Sequence, residues 1–135
     1  MNDRLKELLD SASEARKGSY CPYSGISVGA ALLSESGRIY QGANVENASY
    51  GATVCAERVA LYNALTAGER SFSAIAIIGG EAGCEPRRFF SPCGICRQTL
   101  SEFCKADFKV YIIGGEGAVK ELTLGELLPD AFSLD

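Results

Sequence analysis

Histidine and tryptophan are both absent from this 135-residue sequence, and methionine occurs once. Without histidine no Ser-His or Cys-His pair can act as nucleophile and base, and any transition-metal site must be assembled from thiolates and carboxylates. Long hydrophobic runs are missing too. Stretches such as Ala30–Leu33 and Ala74–Ile78 fall far short of the roughly 20 residues that cross a bilayer. Met1–Asp10 alternates charge with leucine, so neither a signal nor a transit peptide is expected, and no membrane is expected as a partner. Basic residues are too few to follow a phosphate backbone, since 13 Lys and Arg face 17 Asp and Glu for a net charge of −4. That balance argues against nucleic acid as a partner.

What is present suits one domain over residues 1–135, because a chain of this length with 47% hydrophobic residues can cover a single core. No internal repeat, low-complexity tract or linker interrupts it. Leu5, Leu8, Leu9, Ala12 and Ala15 recur at helical spacing from Asn2 to about Lys17, with Gly18 as a stop. The turn formers of Tyr20–Gly25 lead into a strand over Ile26–Leu33, which Ser34-Glu35-Ser36-Gly37 folds back onto Arg38–Asn44. A buried helix is expected from Cys55 to Ala67, and a short strand over Ser73–Ile78 closed by Gly79-Gly80. Gly79–Arg88 reads as a long irregular loop. A further helix should open with Pro92 in its first turn and run to about Phe103, before a strand over Lys109–Ile113. Val119–Leu122 and Leu124–Leu128 add one more strand and a short helix. Strands alternating with helices predict a three-layer α/β/α fold, its five-stranded mixed sheet combining an antiparallel hairpin with a βαβαβ run.

Six cysteines in a chain expected to remain in the reducing cytoplasm read better as metal ligands than as disulfides. Three stand out. Cys93 and Cys96 in Ser91-Pro92-Cys93-Gly94-Ile95-Cys96-Arg97-Gln98 are three residues apart, hence on one helical face, and Cys55 in Thr53-Val54-Cys55-Ala56-Glu57-Arg58 opens the other helix. Exposed N–H groups and the helix dipole favour thiolate at both places. Three sulfurs on a tetrahedral Zn2+ leave one corner for water, as in catalytic zinc sites. Glu57, two residues beyond a ligand, is then placed to move protons as general acid and base. A closed four-thiolate site using Cys21, Cys84 or Cys104 would leave Glu57 without a task.

The sequence at this point resembles the small homotetrameric zinc-dependent cytidine deaminases. The likeness runs through Tyr20-Cys21-Pro22-Tyr23-Ser24, Val28–Leu32, Gly42–Tyr50, Cys55-Ala56-Glu57-Arg58, Ser91–Gln98, Glu126-Leu127-Leu128-Pro129 and Phe132. The resemblance implies one zinc per subunit and hydrolysis of cytidine, and of 2′-deoxycytidine, to the uridine and ammonia by a hydroxide formed at the zinc, in pyrimidine salvage. It also implies active sites completed by neighbouring subunits. By the same resemblance Asn44 and Glu46 bind the ribose hydroxyls, and the Ala56 N–H meets the pyrimidine carbonyl. Tyr50 and Phe132 line the pocket, the latter from another subunit, while Arg58 and Gln98 stand behind the metal ligands. Three thiolates on a dication leave a net charge of −1, which a guanidinium at position 58 offsets.

Ile26 departs from the pattern, because the resemblance places there an aromatic residue that stacks on the base. Offset or edge-to-face ring contacts add about 0.5–1.5 kcal/mol beyond area burial, so Ile26 keeps open a different aminopyrimidine nucleoside, or a nucleoside antibiotic such as blasticidin S, as substrate. A zinc-stapled module that binds a nucleoside or a protein without turnover is the alternative of another class.

Overall fold

The first helix, α1 (Asp3–Ala15), begins where Asn2 Oδ1 accepts the Leu5 N–H at 2.7 Å, and it buries Leu8, Leu9 and Ala12 on one face. The computed structural model describes residues 2–134, so Met1 and Asp135, the ends of the expected domain, lie outside it. Along the chain follow β1 (Ile26–Ser34), β2 (Ile39–Ala43), α2 (Ala56–Thr66), β3 (Phe72–Glu81), α3 (Gly94–Phe103), β4 (Lys109–Ile113), β5 (Val119–Thr123) and α4 (Leu124–Leu127). Among the described residues no helix is long and apolar enough to cross a membrane.

The sheet order is β2-β1-β3-β4-β5. β1 is antiparallel to both β2 and β3, β3 and β4 pair in parallel, and β5 returns antiparallel to β4. β2, β3 and β4 therefore run in one direction, and the expected βαβαβ run is present with β1 inserted between its first two strands. Side chains alternate between two cores as the period of a strand requires. Ala31, Ala74, Ala76, Ile78 and Ile113 meet α1 on one face. On the other, Ala30, Leu32, Ile75, Ile77, Val110 and Ile112 pack with residues of α2, α3 and α4. The result is the three-layer α/β/α arrangement.

Two boundaries differ from the sequence expectation. β3 does not stop at Gly79-Gly80 but pairs through Glu81 with Ile26 on β1, so the irregular stretch spans 82–93 rather than 79–88. Gly79 serves close packing instead of a turn, since a Cβ there would lie 2.8 Å from the Phe90 ring. Pro92 precedes α3, whose cap is Cys93; the fixed φ of proline suits the extended approach to the cap as well as it suits a first helical position.

Because β2 and β3 point the same way, α2 and α3 both start at the sheet edge formed by the carboxyl ends of those strands, where ligands collect in α/β folds. α2 lies directly on β2. A Cβ at Gly42 would fall 2.3 Å from the Ala60 nitrogen and 2.5 Å from the Ala56 oxygen, so only glycine permits this approach. Gly42→Ala is expected to push α2 off the sheet and to remove about 1–3 kcal/mol of stability, measured as a lower midpoint of denaturant unfolding with an unchanged slope.

Candidate active site

Both helix starts at this edge carry a cysteine where capping chemistry prefers Ser, Thr, Asp or Asn. Cys55 is the N-cap of α2 and Cys93 that of α3, and neither side chain caps its own helix. The two sulfurs turn toward each other instead. Cys55 Sγ is 3.7 Å from Cys93 Sγ, which is 3.4 Å from Cys96 Sγ, and all three lie within 4.8 Å of one another. Tetrahedral Zn–S bonds of about 2.3 Å require sulfurs about 3.8 Å apart, so the trio has the size of a zinc site. Among the described residues no fourth cysteine joins it.

The surroundings favour thiolate. Interaction with the Cys96 thiol, assisted by the Arg58 guanidinium, pulls Cys55 down to about 5, while the same interaction together with burial pushes Cys96 up. A dication at the centre would displace the remaining protons. Arg58 Nη2 sits 3.8 Å from Cys55 Sγ and 3.4 Å from the Thr53 carbonyl, and its buried Nε has no partner among the described residues. Its positive charge thus faces the sulfurs, as expected for an offset to their excess negative charge.

Glu57 is only 4% exposed, and burial raises its carboxyl to about 7. Such a group can both accept and return a proton near neutral pH. With Cys55, Cys93, Asn44, Glu46, Ala56 and Ile26 it lines one cavity of about 280 Å³, near the lower end of the range for small-molecule sites. Asn44 is fixed rigidly: its Oδ1 accepts from Ser19 Oγ at 2.5 Å and from the Val28 N–H at 2.9 Å, while Nδ2 donates to the Ile26 carbonyl at 2.9 Å. One amide hydrogen remains to give. Glu46 Oε1 accepts the Tyr23 and Ser24 N–H groups at 2.9 and 3.0 Å, and the Ser24 hydroxyl donates to Oε2. These bonds, that hydroxyl first, hold the Glu46 carboxyl below its ordinary range, with acceptor capacity left on Oε2. A donor and an acceptor side by side suit a pair of hydroxyls.

Not every expected residue is here. Tyr50 is 78% exposed, lines an adjoining hollow of about 230 Å³ with Glu46 and stands 6.3 Å, edge-on, from the Tyr23 ring. Phe132 is 70% exposed, and Gln98, expected behind the thiolates, donates to its carbonyl at 3.1 Å. Conversely, Ser24, Val28, Thr53, Ile77, Phe90 and Ser91 line the cavity although the sequence reading did not place them in the site. Ser24, Val28 and Ser91, inside the family-like segments, carried a usable signal.

The model of the cytidine and deoxycytidylate deaminase zinc-binding region matches residues 2–112. This chain belongs to that deaminase family. A cytidine deaminase from Halalkalibacterium halodurans is 48% identical over 128 residues, covering 95% of this chain and 93% of its own. One from Sporosarcina psychrophila is 45% identical, with 96% and 91% covered. The crystal structure of cytidine deaminase from Burkholderia pseudomallei superposes with a TM-score of 0.86 at 45% identity, covering 98% of this chain and all of that one. That from Mycobacterium tuberculosis gives 0.80 at 38%, covering 99% and 100%.

As a member of this family the chain uses zinc, and the cysteine trio is the place fit to hold it. Ser in place of Cys55, Cys93 or Cys96 is expected to cut bound zinc from about one per chain to under about a tenth, while Ser at Cys21, Cys84 or Cys104 leaves it unchanged; elemental analysis of the purified variants reads this directly.

Proposed function

We propose that this chain is a single-domain zinc hydrolase converting cytidine and 2′-deoxycytidine to uridine and 2′-deoxyuridine with release of ammonia. The observation carrying this reading is that a buried carboxyl raised to about 7 shares one small cavity with Cys55 and Cys93 of the sulfur trio and with the Asn44–Glu46 pair. Zinc, when bound, acts as a Lewis acid that makes a water reactive at neutral pH. The rest falls to the protein. Asn44 donates to one ribose hydroxyl and Glu46 accepts from the other, which aims the base at the sulfurs. The Ala56 N–H, in the first turn of α2 and without an intrahelical partner, receives the pyrimidine O2.

Glu57 takes one proton from the attacking water and delivers it to N3 as oxygen bonds to C4. It then moves the remaining hydroxyl proton to the amino group. The C4–N bond breaks with its electron pair on nitrogen, ammonia leaves, and C4 closes to a carbonyl with N3 still protonated. Arg58 keeps the thiolate cluster from accumulating negative charge during these transfers.

Tyr50 and Phe132 are large exposed rings that do not line the cavity of their own chain, which suits a homotetramer in which each lines a neighbouring subunit's site. The free thiols that the site requires suit a cytoplasmic setting and a role in pyrimidine salvage. Glu57→Gln is expected to keep its zinc and fold yet to lose on the order of 10²–10⁴ in kcat, followed as loss of cytosine absorbance; near-normal turnover would remove Glu57 from the mechanism.

A further inference from the structure

Among the described residues thirteen line the active-site cavity, and Phe90 is the one aromatic of these. Its ring is half-buried and held from more than one side. Gly79 backs it so closely that a Cβ would lie 2.8 Å from the ring, and the Arg88 guanidinium carbon stands 4.5 Å from its centroid. A ring fixed in this way presents its open surface to the cavity at little further loss of freedom. The segment that carries it is itself anchored, because Arg16 donates to the Cys84 carbonyl at 3.0 Å, to the Glu81 carbonyl at 3.1 Å and to Ser27. Phe90 and Ile26 also line a second cavity of about 280 Å³ whose other walls include Glu81, Glu85, Arg87 and Arg88. The two side chains therefore stand between the cavity that holds Glu57 and a second one walled by Glu81, Glu85, Arg87 and Arg88.

We propose that Phe90 is the ring against which the pyrimidine packs, and that with Ile26 it forms the partition setting how large a base the site admits. The inference rests on the nucleoside reading above and adds the residue that selects the base. An aliphatic Ile26 offers the base dispersion contacts alone, whereas a neighbouring phenyl ring adds the quadrupole term of an offset or edge-on pair. Tyr50 and Phe132 cannot supply this within one chain, since neither lines the cavity.

Phe90→Leu keeps the site apolar and of similar bulk while deleting the ring. It is expected to raise the KM for cytidine about 3- to 10-fold, with kcat within about twofold, and to weaken uridine binding measured by calorimetry by the same factor. Phe90→Tyr is expected to stay near the parent value. The leucine variant should also gain, relative to cytidine, on cytidines with enlarged ring substituents, because the partition is thinner. Phe90→Met, whose flexible chain fills gaps, carries the same expectation if the leucine variant fails to fold or to hold zinc. Folded variants with parental KM and parental uridine affinity overturn the proposal. Parent protein that neither turns over cytidine nor binds uridine would instead reject the nucleoside reading itself.

Discussion

The convergence of three sulfurs from two helix starts is the constraint on which everything else in this molecule rests. Cys55 and Cys93 occupy cap positions that would stabilise their helices better as Ser or Asp, and Cys96 follows one turn later. Stability conceded at two caps is recovered when a dication binds the cluster, since binding to the folded state adds to its stability. The sheet supplies the geometry. With β1 inserted between β2 and β3, the two co-directional strands deliver their following helices to one edge, and the close seat of α2 on Gly42 fixes how far Cys55 stands from Cys93.

Chemistry then follows from burial. The same docking that aims Cys55 at the metal position sinks Glu57, one residue further into the helix than Ala56, into an environment that disfavours its charge. Glu46, by contrast, stays ionised because the Ser24 hydroxyl and backbone N–H groups stabilise the anion. Two carboxyls in one cavity thus have opposite protonation preferences. One is suited to exchanging protons, the other to accepting hydrogen bonds from a sugar.

Much of this was legible in the chain itself. Cysteine spacing and the missing histidine pointed to the cluster of three sulfurs, Glu57 was marked as the carboxyl beside it, and hydrophobic periodicity located all nine helices and strands named above. What escaped notice has physical reasons. Gly79-Gly80 looks like a strand end, yet at Gly79 glycine is required because the Phe90 ring presses on the backbone, a tertiary contact between strand and loop. Pro92 looks like a first helical residue, but the cap falls on the metal ligand that follows it. Phe90 itself lay beside an apparently featureless loop, and its place in the cavity depends on tertiary packing that no local pattern encodes. Gln98 adjoins the metal motif in sequence, whereas its amide reaches the Phe132 carbonyl instead.

The site's openness on one side is what separates an enzyme from a zinc-stapled scaffold, because a catalytic metal needs a corner that side chains leave free. X-ray absorption at the zinc edge of the purified protein tests this most directly. The account predicts three sulfur scatterers at about 2.3 Å and one lighter oxygen or nitrogen scatterer at about 2.0 Å. A shell of four sulfurs, or fewer than three, would contradict it.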